Sequence, residues 1–538
     1  MLKRAIALII AIALSLSFAS CNEETPVSEV ESTTTITTKT PTGVGVIKLA
    51  FCANDSLDPY SATSKVNRQL SSLMFDSLFK LDNELNPQNC LAQDIEISGK
   101  TCTVTVKSAR FSDGSSVSGS DIVYSFNVAK STENSVYPTQ LSNISSANAS
   151  GRTVTFALKN YDINFANILD FPIIKEGSRN RKDSDNRELP PIGCGRYVYA
   201  SKNGDGFLEP NKGYYSDVPE NSVELMNIPD NESWKYAIRS GEIDIYYSGE
   251  NTSDLPSFSG GTSQIKHTDF VYLSVSDYSE KLADINVKSA IYDVIDRLQI
   301  TEKAFYTYAY PSVDIYPNTV KFADGVKSGL SPSGNSETAV DYFSKAGFSS
   351  KNEQGIYFDK SGNLFSLNLI YSKSVASHKS TATVISEQLR KFGISVELIE
   401  LDSASYAKRV DSGNYDLSLC EIKLNKNFDL SPLFELENLI EETTTTTTTK
   451  PTKADGETQK NEKVIFNSGC TQAVKDAYNN YISSKTDINT FIEIYNQNLP
   501  FIPICHRTGL TGYSSAVTPA ALSSVSDAYY NFQNISQK

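Results

Sequence analysis

Histidine is nearly missing from this chain of 538 residues: there are three, His267, His378 and His506, each alone in its stretch of sequence. A zinc peptidase needs two histidines one helical turn apart and a carboxylate base, so that chemistry fails on inventory, and each histidine is read as a surface or packing residue. No G-x-S-x-G elbow and no P-loop occur; Gly204-Asp205-Gly206 and Gly260-Gly261-Thr262 are turn chemistry without a Lys-Ser or Lys-Thr pair to bind phosphate. Positive charge is also short. Lys and Arg number 49 against 63 Asp and Glu, leaving a net charge of −14, whereas nucleic-acid binding requires a basic footprint. The acidity serves solubility. Carboxylates this numerous pair by chance, and a glycosidase has no positive support. No metal or cofactor is expected.

Close cysteine spacing is absent too. Apart from Cys21 the cysteines are Cys52, Cys90, Cys102, Cys194, Cys420, Cys470 and Cys505, an odd number with no C-x-x-C. At least one thiol stays unpaired in a monomer, and spacing leaves both disulfides and buried free thiols open. Cys90 and Cys102 are the nearest pair. The single tryptophan, Trp234, is expected on a surface helix. Past the N-terminus no stretch reaches about 18 uninterrupted apolar residues, so no later membrane span is expected.

What the N-terminus does contain is Lys3 and Arg4, an apolar run over residues 5–16, and Ala19-Ser20 before Cys21. Two cations hold the start on the cytoplasmic side, and a dozen or so apolar residues are too few to span a bilayer. Residues 1–20 therefore read as an export signal. Phe18-Ala19-Ser20-Cys21 resembles a bacterial lipoprotein box, which makes Cys21 the expected lipidation site; an ordinary signal peptide cut near Ser20 is the alternative. Acyl chains on Cys21 would anchor the protein to the outer face of a membrane. Residues 21–44, rich in Glu, Ser, Thr and Pro, offer little to bury and are expected to form a disordered linker. A second such segment, 441–463 with a threonine run at 443–449, reads as a surface loop inside a domain.

Between these segments both secondary-structure periods occur. Cys102-Thr103-Val104-Thr105-Val106-Lys107 and Thr153-Val154-Thr155-Phe156-Ala157-Leu158 alternate as half-buried strands, with Ser98-Gly99-Lys100 as a hairpin turn. Ser120-Asp121 caps a helical stripe of Ile122, Val123, Phe126 and Ala129, and Ile385, Leu389 and Phe392 form another before Gly393. The class is α/β, and the length implies at least two lobes.

Separated motifs add a resemblance. In order they are Leu57-Asp58-Pro59, Leu73-Met74-Phe75-Asp76-Ser77-Leu78, Leu85-Asn86-Pro87, and the block Phe111-Ser112-Asp113-Gly114 followed by Asp121-Ile122-Val123-Tyr124-Ser125. Then come Pro191-Ile192-Gly193-Cys194-Gly195-Arg196-Tyr197, Asn211 with Tyr214-Tyr215, Ser240-Gly241-Glu242-Ile243-Asp244, residues 284–297, which look like one helix ending in Asp296-Arg297, Gly413-Asn414-Tyr415-Asp416, and Leu499-Pro500-Phe501-Ile502-Pro503. Together they resemble the family 5 extracellular solute-binding proteins, the peptide-binding components of ABC importers, over nearly everything from residue 46 to 517. The resemblance implies a Venus-flytrap of the type II periplasmic-binding-protein class: lobe I from 45–70, 185–268 and 500–538, an extra subdomain at 71–184, and lobe II at 269–499. The crossings are expected near 266–275 and 498–505, and the Phe111 to Ser125 block reads as architectural.

By the same resemblance the protein captures a peptide or other small solute between its lobes, delivers it to permease subunits in the membrane, performs no catalysis and acts as a monomer. Asp429, with Asn427 beside it, stands where the family keeps an acidic residue for the peptide amine. Leu430 replaces the usual proline, and Glu421-Ile422-Lys423 stand where a tryptophan is usual. Arg409 resembles a cation for the peptide carboxylate, Tyr137 an aromatic of the cleft wall, and Phe270 and Tyr272 lie on the first crossing. A non-transport receptor or chaperone-like protein on the same scaffold, and a secreted hydrolase, are the competing readings.

Overall fold

The computed structural model describes residues 46–133, 135–202, 205–249, 255–434, 470–518 and 523–535, all within one compact unit, Gly43–Lys538. The export signal, Cys21, the 21–44 linker and the threonine-rich 441–463 segment lie outside the described residues. Among the described residues no helix is long and apolar enough to cross a membrane.

The first lobe is built on a four-stranded sheet in which β1 (Ile47–Phe51) pairs in parallel with β12 (Val223–Asn227), followed by β11 (Asp205–Pro210) and β10 (Tyr197–Lys202). Its inner face carries Leu49, Leu208 and Leu225. The helix Asn231–Ser240 packs on it through Trp234, Ala237 and Ile238, three and four residues apart on one stripe. The helix is a surface helix, with Tyr236 exposed on its outer side, and Trp234 is on its inner side: it is 1% exposed, with its ring 4.5 Å from that of Tyr246. Gly241 ends this helix at φ 74, a left-handed cap that glycine adopts without steric cost. Asp244 follows, accepting from the Lys48 amide at 2.9 Å and the Ser514 hydroxyl at 2.6 Å, which ties β1 to the C-terminal part of the chain.

Upon this lobe stands an antiparallel sheet in the order β4 (Ala92–Ser98), β5 (Thr101–Val106), β7 (Thr153–Leu158), β6 (Ile144–Ser150). Cys102, Val104 and Val106 alternate inward beside Val154, Phe156 and Leu158, and the helix Gly119–Ser131 covers them with Ile122, Phe126 and Ala129. The Phe111 to Ser125 block is architectural, as expected. Asp121 closes a capping box with Ser118, and the Ser112 amide donates to the Gly193 carbonyl at 2.9 Å. Gly193 is required by contact: a Cβ there would lie 2.2 Å from the Met74 carbonyl oxygen. One apolar core runs from this subdomain into the first sheet, which makes it an outgrowth of the first lobe. A short ribbon, β8 (Arg181–Lys182) with β9 (Glu188–Leu189), and a hairpin, β2 (Phe79–Leu81) with β3 (Pro87–Asn89), decorate it.

The second lobe shares a seven-stranded sheet ordered β13 (Ile245–Ser248), β19 (Phe501–Tyr513), β14 (Gly261–Val275), β18 (Leu417–Lys423), β16 (Ser366–Ser372), β17 (Ser395–Leu401), with β15 (Ala309–Pro311) beside β19. One face packs Ile291, Ile300, Phe343 and Leu389 of four helices; the other packs Tyr478, Phe491 and Tyr495 of the helices Gln472–Ile482 and Ile488–Asn498. Residues 284–297, expected as one helix, form two, Ile285–Val294 and Arg297–Phe305. Asp296 breaks the run because its side chain caps the Gln299 amide at 3.0 Å. Arg297, 1% exposed, then turns inward and donates to the carbonyls of Pro503 (2.7 Å) and Ile295 (3.0 Å).

Two long antiparallel strands, β14 and β19, join the lobes. They pair from Gly261 opposite Tyr513 to Ser274 opposite Phe501, with register shifts between Lys266 and Phe270 and between Val271 and Tyr272. The crossings therefore begin earlier on β14, and end later on β19, than the motifs alone marked. All cysteines of the described residues are free; the Cys90 sulfur lies 3.4 Å from the Tyr215 hydroxyl rather than on Cys102.

Candidate functional site

In the second lobe β16 leads through the helix His378–Phe392 to β17 on one side, while β18, also parallel to β16, sends its chain the other way towards β19. Adjacent parallel strands whose continuations diverge leave a crevice at their carboxyl ends, the ordinary ligand position in open α/β sheets. Here that end faces the first lobe. Beyond β18 the segment 424–430 leaves the sheet, so its backbone groups need new partners.

The first lobe supplies them. Asn167 donates to the Lys426 carbonyl at 2.9 Å and Asn164 to the Asn427 carbonyl at 3.1 Å. In return Asn425 donates to the Gln140 carbonyl at 3.1 Å, Asn427 donates to the Asp162 carboxylate at 2.6 Å, and Lys426 forms an ion pair with Asp170. Asp429 accepts from the Tyr478 hydroxyl (2.7 Å) and from the Ser431 amide (2.9 Å), capping the turn Ser431–Phe434. Burial pushes the Asp162 carboxyl up to about 7. Hydrogen bonds from Asn427 and Asn164 oppose that rise, and the nearby Asp429 charge adds to it.

At the hinge, four rings form a column. Tyr272 stacks on Phe270 at 5.1 Å, Phe270 on His506 at 4.9 Å, and His506 on Tyr310 at 5.3 Å. Neither nitrogen of His506 has a hydrogen-bond partner, and burial holds its pKa down at about 3. The opposite face of the same strands is charged: Arg507 donates to both carboxylate oxygens of Glu421, at 3.0 and 3.2 Å, and His267 lies 3.3 Å from Asp269. Burial acts to raise Asp269, but the His267 hydrogen bond and the Lys423 and Arg507 charges outweigh it and hold its carboxyl below the usual value.

Residues 85–432 match the family model of the bacterial extracellular solute-binding proteins, family 5. The chain belongs to this family. It is 25% identical over 393 residues to the oligopeptide-binding protein AppA of Bacillus subtilis, covering 66% of this chain and 68% of that one. To the glutathione-binding protein GsiB of Escherichia coli K12 it is 22% identical over 377 residues, covering 66% and 69%. Among solved structures, an ABC transporter substrate-binding protein from Sinorhizobium meliloti superposes with a TM-score of 0.66 at 20% identity, covering 92% of this chain and all of that one. The murein-tripeptide-binding MppA, in its unliganded open form, gives 0.62 at 18% identity, covering 90% and 96%. These neighbours fix the fold as the two-lobed type II substrate-binding architecture, and the relatives are solute-binding proteins.

In this family 5 chain the seam brings together two of the residues picked from sequence, Asn427 and Asp429, with Asp162 opposite. Phe270 is fully buried, and both faces of its ring are covered, by Tyr272 and His506. Tyr137 packs edge-on against Tyr60 at 5.6 Å, on the same turn as Gln140. Arg409 is not among the residues that meet at the seam: its Nε donates to the Asn414 carbonyl at 2.8 Å and closes the end of its own helix. Sequence reading missed Asp162, Asn164, Asn167, Gln140 and the Arg507–Glu421 pair. The spacing Asn164-x-x-Asn167 on one turn was the available signal, and it is weak.

Proposed function

We propose that this family 5 protein captures peptides between its two lobes and passes them to the membrane permease of an ABC importer, tethered outside the cell by lipid on Cys21. The observation that carries this reading is the seam beyond the carboxyl end of β18, where the segment 424–430 turns through Asn425 to Phe428 and meets the first lobe. That segment presents backbone carbonyls now met by asparagine side chains. A peptide backbone offers the same amide donors and would take their place in strand-like fashion. An ammonium brought into such a seam needs an anion, because an unpaired buried charge costs several kcal/mol. Asp429, with Asp162 across the seam, supplies it. A guest that contacts both lobes favours the closed arrangement by its differential contacts, and that difference is what a permease can sense.

The test uses the full chain extracted from membranes. Peptides at 100 times their Kd would stabilise it by about 2.7 kcal/mol and raise its melting temperature. Asp429→Asn should weaken binding of peptides with a free amine by roughly tenfold or more, a charge-assisted hydrogen bond being worth about 1.5–3 kcal/mol, and leave amine-blocked peptides unaffected. Melting curves indifferent to a broad peptide library would defeat the capture reading, and an unmodified Cys21 in the mass spectrum of the N-terminal peptide would defeat the anchor.

A further inference from the structure

The hairpin of β2 and β3 belongs to the first lobe by its anchors: the Phe79 amide donates to the Leu169 carbonyl at 3.2 Å, and the Leu81 amide to the Ser526 hydroxyl at 2.9 Å. Its tip belongs elsewhere. Leu85, 1% exposed, sits in the apolar cluster of the second lobe with Phe270, Tyr316 and Phe428. It does so at φ 66, the left-handed region in which a leucine side chain crowds its own backbone. Asp82 holds that turn by accepting from the amides of Glu84 and Asn86, both at 2.9 Å.

The next residue engages the second lobe with equal specificity. Asn86 donates through Nδ2 to the Thr319 carbonyl at 3.0 Å and accepts through Oδ1 from the Lys321 amide at 2.9 Å, the donor–acceptor pair that a peptide backbone would offer. Glu84 forms an ion pair with Lys266 on the crossover strand, and Asn167 closes over the tip by donating to the Leu85 carbonyl at 3.4 Å. An apolar side chain, a backbone-like amide and a carboxylate are thus presented together to the second lobe by a segment of the first.

We propose that the tip 82–86 is an intramolecular latch, a tethered mimic of a peptide guest that holds the lobes together when no guest is bound. Opening withdraws Leu85 from the second-lobe cluster and leaves an apolar recess there, so an arriving peptide with an apolar side chain competes with the latch. A glycine at this turn would form the hairpin with less strain; leucine is retained at a conformational cost that its burial between lobes offsets. The latch rests on the two-lobed motion proposed above but involves no guest, so it is measured on the unliganded protein.

The experiment places spin labels on the full chain at Tyr236→Cys in the first lobe and Val340→Cys in the second, both exposed, and reads the interlobe distance distribution. The unsubstituted latch should give one short distance. Leu85→Gly keeps the left-handed turn and deletes the plug; from the burial of one leucine its open-to-closed ratio should rise by about 30-fold. Asn86→Ala should raise it several-fold without touching the apolar cluster, and it decides the matter if Leu85→Gly fails to unfold cooperatively. Distributions unchanged by these substitutions overturn the latch. Peptide binding that survives in those variants would leave the capture reading standing, whereas a latch that responds while no peptide binds would sink capture alone.

Discussion

Replacing Asp162 by asparagine isolates one electrostatic cost of closing the seam. The carboxyl moves from an ordinary 3.8 to about 7 on folding. Each tenfold change in proton affinity is worth about 1.4 kcal/mol, so the penalty for ionising Asp162 in place has an upper bound of about 4 kcal/mol. The side chain is half-buried, and solvent screening reduces that to roughly 2 kcal/mol. The native state binds this proton more tightly than the unfolded chain, so the Asp162 contribution falls as pH rises from about 4 to about 7 and is flat outside that window. Asparagine keeps an oxygen to accept from Asn427 and removes the charge. Urea midpoints of the wild type and of Asp162→Asn, taken at pH 5 and pH 8, should show the variant gaining about 1–2 kcal/mol relative to wild type between the two. A gap that stays constant with pH would refute the reasoning, because it would mean that the carboxylate reaches water in the folded protein.

Trp234→Ala empties a fully buried site beneath the first-lobe helix and should cost about 3–5 kcal/mol, read as a lowered melting temperature; a loss under 1 kcal/mol would mean that the helix is not packed as described. Gly193→Ala forces a methyl to within 2.2 Å of the Met74 carbonyl oxygen and should destabilise by about 2 kcal/mol or more, visible as early loss of the extra subdomain in hydrogen exchange.

The elements legible in the sequence were those whose cause is local. Alternation in residues 102–107 and 153–158, the Asp121 side chain at the start of its helix and the Gly393 stop each act within a few residues, and the elements fell within a residue or two of where their spacing put them, with Ser118 rather than Ser120 as the N-cap. The side of the helix on which Trp234 lies was not legible: its neighbours on the helix are polar, and only the Tyr246 ring of a later strand shows which side is inward. Residues 284–297 misled for a third reason, since Asp296 is compatible with a helix interior until its side chain is needed as a cap for the next one. The seam was half legible. Asn427 and Asp429 came from the resemblance, but Asp162 and Asn164 lie more than 250 residues away in sequence, and no local pattern carries such a pairing. Leu85 was visible only as part of a motif, because its left-handed turn gives no sign in a residue type that normally avoids it.

The buried histidines and Asp162 push acid stability in opposite directions, which bears on where the protein can respond to pH. Burial holds His506 at about 3 and His378 at about 4, with the Arg507 charge also lowering His378. The unfolded chain takes up protons at both below about 6.5, so stability contributed by keeping these rings neutral is full above 6.5 and is lost as pH falls towards 4 and then 3. Asp162 works the other way over its own window, gaining as pH falls from about 7 to about 4. Between pH 5 and 6.5 Asp162 offsets at most one of the two histidine contributions, so global unfolding still loses stability as pH falls there. The two kinds of group are separated in space, however. His506 lies in the ring column of the crossover strands, where burial keeps it neutral. Asp162 lies in the seam itself, and only closure buries it. A change from pH 8 to pH 6 therefore leaves His506 neutral and favours the closed seam, so interlobe distance reports the Asp162 contribution free of the histidine contributions that melting temperature also contains.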